Sequence, residues 1–357
     1  MHSSYFASRR QFLKYSVLGG LAAASAGPWS RLAQATAAAP AAPKARVALT
    51  TGNDRADNIF RGMKEFAKEI AQAIGNRPVV IKPNNVAIDI PLCATHAEQL
   101  AGILEFLKSI GKLENAVIAE SAASGPTMEG FSNYGYPAVA KKYGVKLVDL
   151  DTEPTETLWV YDEKDFRPHA VKMARRLLDS KTYIISAAKF KTHDRVVATL
   201  SLKNVIFGAP IKDLGFRWGK KGKPGLTIQK PIAHGSGYYG INYNLFTLAQ
   251  RFHPHLAVID GFEGMEGNGP TGGTPVDHRV AVVSPDWLAA DRVAVELMGI
   301  DFAKIGYLNF CAQAGLGEAD LAKMEILGEP IQRHLRSYKL HKSIDKQLTW
   351  MNPPKWS

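Results

Sequence analysis

Short apolar runs rich in Val and Ile recur along the chain from residue 46 onwards. Runs of this length and composition, bounded by polar or glycine-containing segments, predict buried β-strands. The predicted strands cover residues 46–51, 79–83, 116–121, 146–151, 183–189, 256–261, 280–285 and 324–328.

Amphipathic segments lie between most of these runs. In residues 57–74, apolar side chains recur every three or four positions, which predicts a helix with one buried face: Ile59, Met63, Phe66, Ile70 and Ile74. Strands separated by helices predict an α/β fold with a mostly parallel sheet and helices on both faces. No convincing linker follows residue 46, so the sequence predicts one large domain over 46–329 and a basic C-terminal tail over 330–357.

Chemically distinctive side chains follow the predicted strands. Ligands of open parallel sheets bind beyond the carboxyl ends of the strands. Here those ends carry lysines, amides, carboxylates and a histidine: Lys82, Asn84, Glu120, Lys189, Lys191, His193 and Asp260. Alternation along an extended chain predicts that Lys189, Lys191 and His193 point to one side. We expect the loops after residues 82, 120, 189 and 260 to surround one pocket.

The lysines predict an anion-binding site, because buried ammonium groups need a partner of opposite charge. Lys203 and Asn204 join this site if residues 194–207 form a helix, whose N-terminus would also favour an anion and lower the pKa of His193. The backbone N–H groups of Gly267, Asn268 and Gly269 could face the same anion. The alternative for the lysines is a structural ion network with Glu120, Asp260 and Glu266.

Proton transfer at this site would fall to His193, Glu120 or Asp260. Asp260, Glu266, His193 and His234 could instead bind a divalent metal, although no short ligand spacing supports this. The sequence leaves the cofactor open between such a metal and an organic molecule.

The N-terminus carries the features of an export signal. Arg9 and Arg10 stand in "SRRQFLK", an apolar stretch follows, and the small residues "AQA" end at Ala35. This order predicts a twin-arginine signal peptide over 1–35, recognised by the twin-arginine translocase, and a flexible linker over 36–45. The mature protein is therefore predicted to be periplasmic, and no later stretch is long and apolar enough to span a membrane.

The net charge and the cysteines limit which ligands and partners fit the protein. The predicted signal contains four of the 44 Lys and Arg residues and none of the 33 acids, so the remaining chain carries a net charge of +7. Export argues against nucleic acid as the partner, and the charge suits a small anion. Cys93 and Cys311 are the two cysteines, and either a disulfide or two buried thiols fits them.

Five motifs resemble the domain-of-unknown-function 362 family of bacteria and archaea: "IKPNN", "ESAASGPT", "KFKTH" with "TLSLKNVIFGAP", "VIDGFEGMEGNGPTGGTP" and "LAADRVAVELMGI". The resemblance runs from about Arg46 to Glu329 and implies no particular reaction. Members of the family often carry an attached ferredoxin-like iron–sulfur segment. Two cysteines cannot ligate such a cluster, so the chain is predicted to have none of its own, and an external redox partner stays open.

These observations lead to two hypotheses. The first is a periplasmic enzyme that acts on a carboxylate or phosphate through lysine, histidine and acid chemistry. The second is a non-catalytic small-molecule-binding or accessory protein of an envelope redox system. A site with a titratable acid–base pair near the ligand favours the enzyme.

Overall fold

The computed structural model describes residues 44–219 and 222–353. The predicted signal peptide and most of the predicted linker lie outside these residues. The strands are β1 Ala45–Thr51, β2 Val79–Lys82, β3 Ala116–Glu120, β4 Lys146–Asp149, β5 Thr155–Asp162, β6 Arg167–Ala174, β7 Tyr183–His193, β8 Val197–Ala198, β9 Leu256–Asn268, β10 Gly272–Ser284 and β11 Met324–Gly328.

Nine of these strands form one sheet in the order β11-β1-β10-β9-β7-β2-β3-β4, with β8 paired to β7. Neighbouring strands run parallel except where β10 pairs with β1 and β9, and where β8 pairs with β7. The predicted α/β class and the mostly parallel sheet are therefore confirmed. A separate two-stranded sheet, β5 with β6, was not predicted.

Twelve α-helices accompany the sheet in the described part of the chain. They are α1 Arg55–Lys64, α2 Ala67–Ile74, α3 Ala97–Ser109, α4 Thr127–Asn133, α5 Tyr136–Tyr143, α6 Arg175–Leu178, α7 Leu200–Ile206, α8 Lys230–Ala233, α9 Tyr238–Ala249, α10 Trp287–Leu297, α11 Gly306–Gln313 and α12 Ile344–Gln347. None of the described helices is both long and apolar enough to cross a membrane.

The helices cover both faces of the sheet because strand side chains alternate between two cores. Val79 and Ile81 join the core formed with α1, α2 and α3, whereas Val80 joins the core formed with α7, α9 and α10. Burial of both faces is the reason that the strands contain nearly continuous apolar runs.

The region after β7 differs from the prediction. The predicted helix over 194–207 is wrong: the chain turns back as β8, and α7 covers only Leu200–Ile206. Val197 and Leu200 adopt positive φ angles of 67° and 50°, a conformation that side chains rarely adopt and that a continuous helix excludes. His193 is therefore the last residue of β7 and does not begin a helix.

The glycine-rich segment 261–273 also differs from the loop that was predicted. Most of it continues β9 and β10 as a long antiparallel hairpin, with Gly267 opposite Gly273 and Glu266 opposite Thr274. The hairpin tip at 269–271 lies beside the carboxyl end of β7.

The C-terminal segment from residue 330 to 353 packs against the domain body. Tyr338 and Gln347 are buried, and the Gln347 side chain accepts a hydrogen bond of 2.8 Å from the backbone N–H of Val197. Cys93 and Cys311 are both buried free thiols, so the structure contains no disulfide between them.

Candidate functional site

One cavity of about 640 Å³ opens at the carboxyl edge of the sheet. The segments that follow β2, β3 and β7 all contribute to its wall, and so does the tip of the β9–β10 hairpin. Representative lining residues are Lys82, Glu120, His193, Lys203, His234 and Pro270. The structure thus brings the four predicted loops around one cavity, as the sequence predicted.

Lys82 and Glu120 form a buried ion pair in the cavity wall. The Lys82 ammonium lies 2.6 Å from the Glu120 carboxylate, and the two side chains are 1% and 2% exposed. The carboxylate also accepts the backbone N–H groups of Asn85 and Ser121. Three groups of this protein thus engage the Glu120 carboxylate, which suits a structural counter-charge better than a catalytic acid or base.

A chain of amide hydrogen bonds connects this pair to Lys191. The side-chain oxygen of Asn204 accepts hydrogen bonds from the side-chain amide of Asn84 at 3.0 Å and from the Lys82 ammonium at 3.4 Å. The Asn84 oxygen in turn accepts from the Lys191 ammonium at 2.6 Å, and the Cys93 carbonyl accepts from Lys191 at 3.1 Å. Two side-chain amides therefore link Lys82 to Lys191 past the carboxyl end of β2. Lys191 supports the cavity wall and does not line it.

Gly208 is required for this packing. A Cβ atom at residue 208 would lie 2.2 Å from Cε of Lys82 and 2.5 Å from the backbone oxygen of Asn204. Non-bonded heavy atoms do not approach each other so closely. Only glycine at residue 208 therefore leaves room for the Lys82 side chain beside the end of α7.

Lys203 and Lys230 supply positive charge to the cavity, and neither forms an ion pair with a carboxylate in the described part of the chain. Lys230 donates to the carbonyls of Phe207, Gly208 and Pro210, and burial lowers its pKa to about 7. Burial, and then the charge of Lys191, lower the pKa of Lys203 to about 7 as well. A bound anion would raise both pKa values again, because it would stabilise the charged forms.

His193 is a neutral hydrogen-bond donor in this environment. Burial, followed by the charge of Lys203, holds its pKa well below the usual value. Its Nδ1 accepts the backbone N–H of Arg195 at 3.0 Å, so the ring proton belongs on Nε2. The Asp194 carboxylate lies 3.1 Å from the same Nδ1, but a neutral ring makes no ion pair with it.

His234 has the opposite tautomer. Its Nδ1 lies 2.5 Å from the Lys230 carbonyl, which accepts only, so Nδ1 carries the proton and Nε2 is an acceptor. Burial and then Lys203 lower the pKa of His234 to about 3. The cavity therefore contains one imidazole that donates through Nε2 and one that accepts through Nε2.

Lys189 and Asp260 lie outside the cavity wall. The β7–β9 register shifts between Lys189 and Lys191, where β7 advances by two residues and β9 advances from Asp260 to Met265. Asp260 lies 3.2 Å from the Arg55 guanidinium, and its other oxygen accepts the backbone N–H of Phe262. Burial lowers the pKa of Lys189, and the charge of Asp260 opposes this shift. These residues form their own buried charge cluster beside the site.

The glycine-rich tip contributes through other residues than those predicted. Gly267, Asn268 and Gly269 do not line the cavity, whereas Pro270 and Thr271 do. Gly269 packs directly on β7, since a Cβ there would lie 2.1 Å from the Thr192 carbonyl oxygen.

The four predicted metal ligands do not assemble. His193 and His234 share the cavity, but Asp260 pairs with Arg55, and Glu266 accepts the backbone N–H of Lys339 at 2.9 Å. Within the described ranges, the one group of three potential ligands with close donor atoms is Asp162, Asp165 and His169, on the β5–β6 hairpin.

Sequence reasoning missed Arg195 and Lys230 as cavity residues. Arg195 follows "KFKTH" by two positions, and the turn into β8 brings it to the wall. Lys230 lies at the end of the irregular segment after α7, where no strand or helix pattern locates it. The nearness of Arg195 to the "KFKTH" motif could have identified it as a site residue. No feature of the sequence around Lys230 could have done so.

Comparison with known proteins agrees with the family resemblance. The model of a family described as "Domain of unknown function (DUF362)" matches residues 79–296. The thylakoid-associated protein sll1697 of Synechocystis sp. is 23% identical over 281 residues, which cover 78% of this chain and 79% of that protein. The matched range contains β2, β3, β7, α7 and α8, which carry the cavity. The chain belongs to the DUF362 family.

Proposed function

We propose that the cavity binds a small carboxylate or phosphate and that the protein is an enzyme acting on this anion by proton transfer. One observation carries the proposal: positive charge in the cavity wall exceeds negative charge. Glu120 neutralises Lys82, but Lys203, Lys230 and Arg195 face only one further lining carboxylate, Asp194.

The two histidines support proton transfer. Nε2 of His193 can donate to a developing oxyanion, and Nε2 of His234 can accept a proton. Both pKa values are lowered partly by Lys203, so a bound anion that offsets this charge raises them. Binding of the substrate would thereby shift the pKa values of His193 and His234 toward the pH at which the enzyme works.

The experiment is calorimetric titration of the mature protein with sulfate, whose charge is constant between pH 6 and pH 9. The protonated forms of Lys203 and Lys230 attract the anion, and both pKa values lie at about 7. We expect full affinity below pH 7 and a fall of about tenfold per pH unit above it for each lysine that must regain its proton. Affinity that is independent of pH would contradict this assignment.

Arg195→Met is the matching variant. The Arg195 guanidinium makes no ion pair within the described part of the chain, so its loss should leave folding unchanged. We expect sulfate binding to weaken by about 1.5–3 kcal/mol, the value of a charge-assisted hydrogen bond. Arg333→Met, at an exposed position outside the cavity, is the control and should leave affinity unchanged.

We also propose that the protein works in the periplasm after export by the twin-arginine translocase. The proposal rests on Arg9 and Arg10 and on the apolar stretch and "AQA" that follow them. Changing both arginines to lysine should leave precursor in the cytoplasm, as judged by cell fractionation and immunoblotting. Normal processing and export of that variant would refute the localisation.

An accessory role is the second candidate. The relative from Synechocystis is named for its association with thylakoids. In this role the protein would serve an envelope redox system through an external partner. Native mass spectrometry with elemental analysis of protein purified from its own periplasm distinguishes the two. A transformed small anion supports the enzyme, whereas a stable protein complex without turnover supports the accessory role.

A further inference from the structure

Three lysines line the cavity, and they differ in how their ammonium groups are engaged. Lys82 pairs with Glu120 at 2.6 Å, and Lys230 donates to three backbone carbonyls. Lys203 has neither kind of partner among the described residues: its one specific contact is with the Phe207 ring, 5.4 Å from the ring centroid. Lys203 is also 93% buried, so water does little to hold its proton.

The position of Lys203 is nevertheless firmly fixed. It lies in α7, whose first N–H groups, those of Ser201 and Leu202, are accepted by the buried Asp291 carboxylate at 2.8 and 3.1 Å. The adjacent Asn204 is held by Asn84 and by the backbone of Lys82. A cation without a partner, on an element this well anchored, costs stability and therefore requires an explanation.

We infer that Lys203 is an amine nucleophile that forms an imine with the carbonyl group of an anionic oxo acid or aldehyde. The inference rests on the proposed anion site, because Arg195 and Lys230 would hold the carboxylate or phosphate of the same ligand. A cavity of about 640 Å³ accommodates a ligand with both groups.

The neighbouring groups suit this chemistry. The lone pair of the neutral Lys203 amine forms a C–N bond with the carbonyl carbon, and the C=O π electrons move to oxygen. The Nε2–H of His193 can stabilise this oxygen, and Nε2 of His234 can carry a proton from nitrogen to oxygen. With one further proton from solvent the oxygen leaves as water, and a protonated imine remains. No oxidant or reductant is consumed.

The electrostatics of the site favour a neutral amine. Lys191, Lys230, His193 and His234 surround Lys203, and Asp194 is the one carboxylate among its charged neighbours. Burial and Lys191 lower the pKa of Lys203 to about 7, whereas an exposed lysine titrates near 10.4. Buried lysines next to other cations are activated in this way.

The test treats the whole mature protein with glyoxylate and sodium cyanoborohydride, which reduces an imine to a stable secondary amine. Peptide mass spectrometry then measures the rate of modification at each lysine. We expect Lys203 to react at least tenfold faster than any other lysine at pH 7, and sulfate to suppress that reaction. The Lys203 rate should level off above about pH 8, whereas the rates of exposed lysines should keep rising.

Lys203→Met should abolish the fast modification, and circular dichroism checks that the variant folds. The modification rates measured at each lysine of the wild-type protein do not depend on that variant. Lys323, which is exposed and does not line the cavity, gives the background rate.

The outcomes separate this inference from the proposed function. If sulfate binds but Lys203 does not react fast, Lys203 is not the nucleophile. The same follows if Lys230 or Lys191 reacts fast instead, and either result leaves the proposed anion site intact. Absence of both sulfate binding and selective modification overturns both. Selective, sulfate-sensitive modification of Lys203 supports both.

Discussion

Glu120→Gln is expected to lower the free energy of unfolding by about 3–5 kcal/mol at pH 7, the usual cost of leaving one member of a buried ion pair alone. The amide keeps the size of the side chain and one acceptor oxygen, but it leaves the Lys82 ammonium without its counter-charge at 2.6 Å. Urea denaturation followed by far-ultraviolet circular dichroism measures the change. The loss should shrink as pH rises, because burial lowers the pKa of Lys82 and the lysine can then fold uncharged.

The control is the double variant Lys82→Met/Glu120→Gln. Because it removes both charges, it should recover most of the lost stability. Glu69→Gln breaks the exposed ion pair with Arg46 and should cost less than about 1 kcal/mol. If Glu120→Gln costs no more than Glu69→Gln, Glu120 does not neutralise Lys82, and its role as a proton-transfer group becomes the better interpretation.

Asp291→Ala is expected to cost about 2–5 kcal/mol, because it leaves the buried N–H groups of Ser201 and Leu202 without an acceptor. It should also weaken sulfate binding, since α7 carries Lys203 and Asn204 into the site. Chemical denaturation and calorimetry measure the two effects. The matched control is Asp301→Ala, which removes a single exposed cap to the N–H of Ala303 and should cost about 0.5–2 kcal/mol.

The pH dependence of the Asp291 variant provides a second readout. Burial raises the pKa of Asp291 from 3.8 to about 7. Between these values the folded protein keeps a proton that the unfolded chain releases, so this group's contribution to stability falls as pH rises through the window. Asp291→Ala should remove that slope. A variant that is no less stable than Asp301→Ala, with the slope unchanged, would show that Asp291 does not anchor α7.

The sequence by itself determined the class of fold and the edge at which the site lies. Apolar runs such as 79–83 and 116–121 appear as β2 and β3, because residues buried on both faces of a parallel sheet leave an unmistakable composition. The carboxyl ends of neighbouring parallel strands must meet at one edge, so Lys82, Glu120 and His193 were expected to be neighbours before any contact was known.

Only the tertiary structure decided which of these charges face the cavity and which neutralise each other. Alternation predicts the direction of a side chain but not its distance from the cavity. Lys189 pairs with Asp260 within the sheet, whereas His193 ends β7 and lines the cavity wall. The Val197 N–H, at a residue with positive φ, donates to the distant Gln347 side chain, and no local pattern reveals that partner. Pairing of Lys82 with Glu120, and the lack of such a partner at Lys203, likewise depend on distances between segments far apart in the chain, and sequence spacing does not encode those distances.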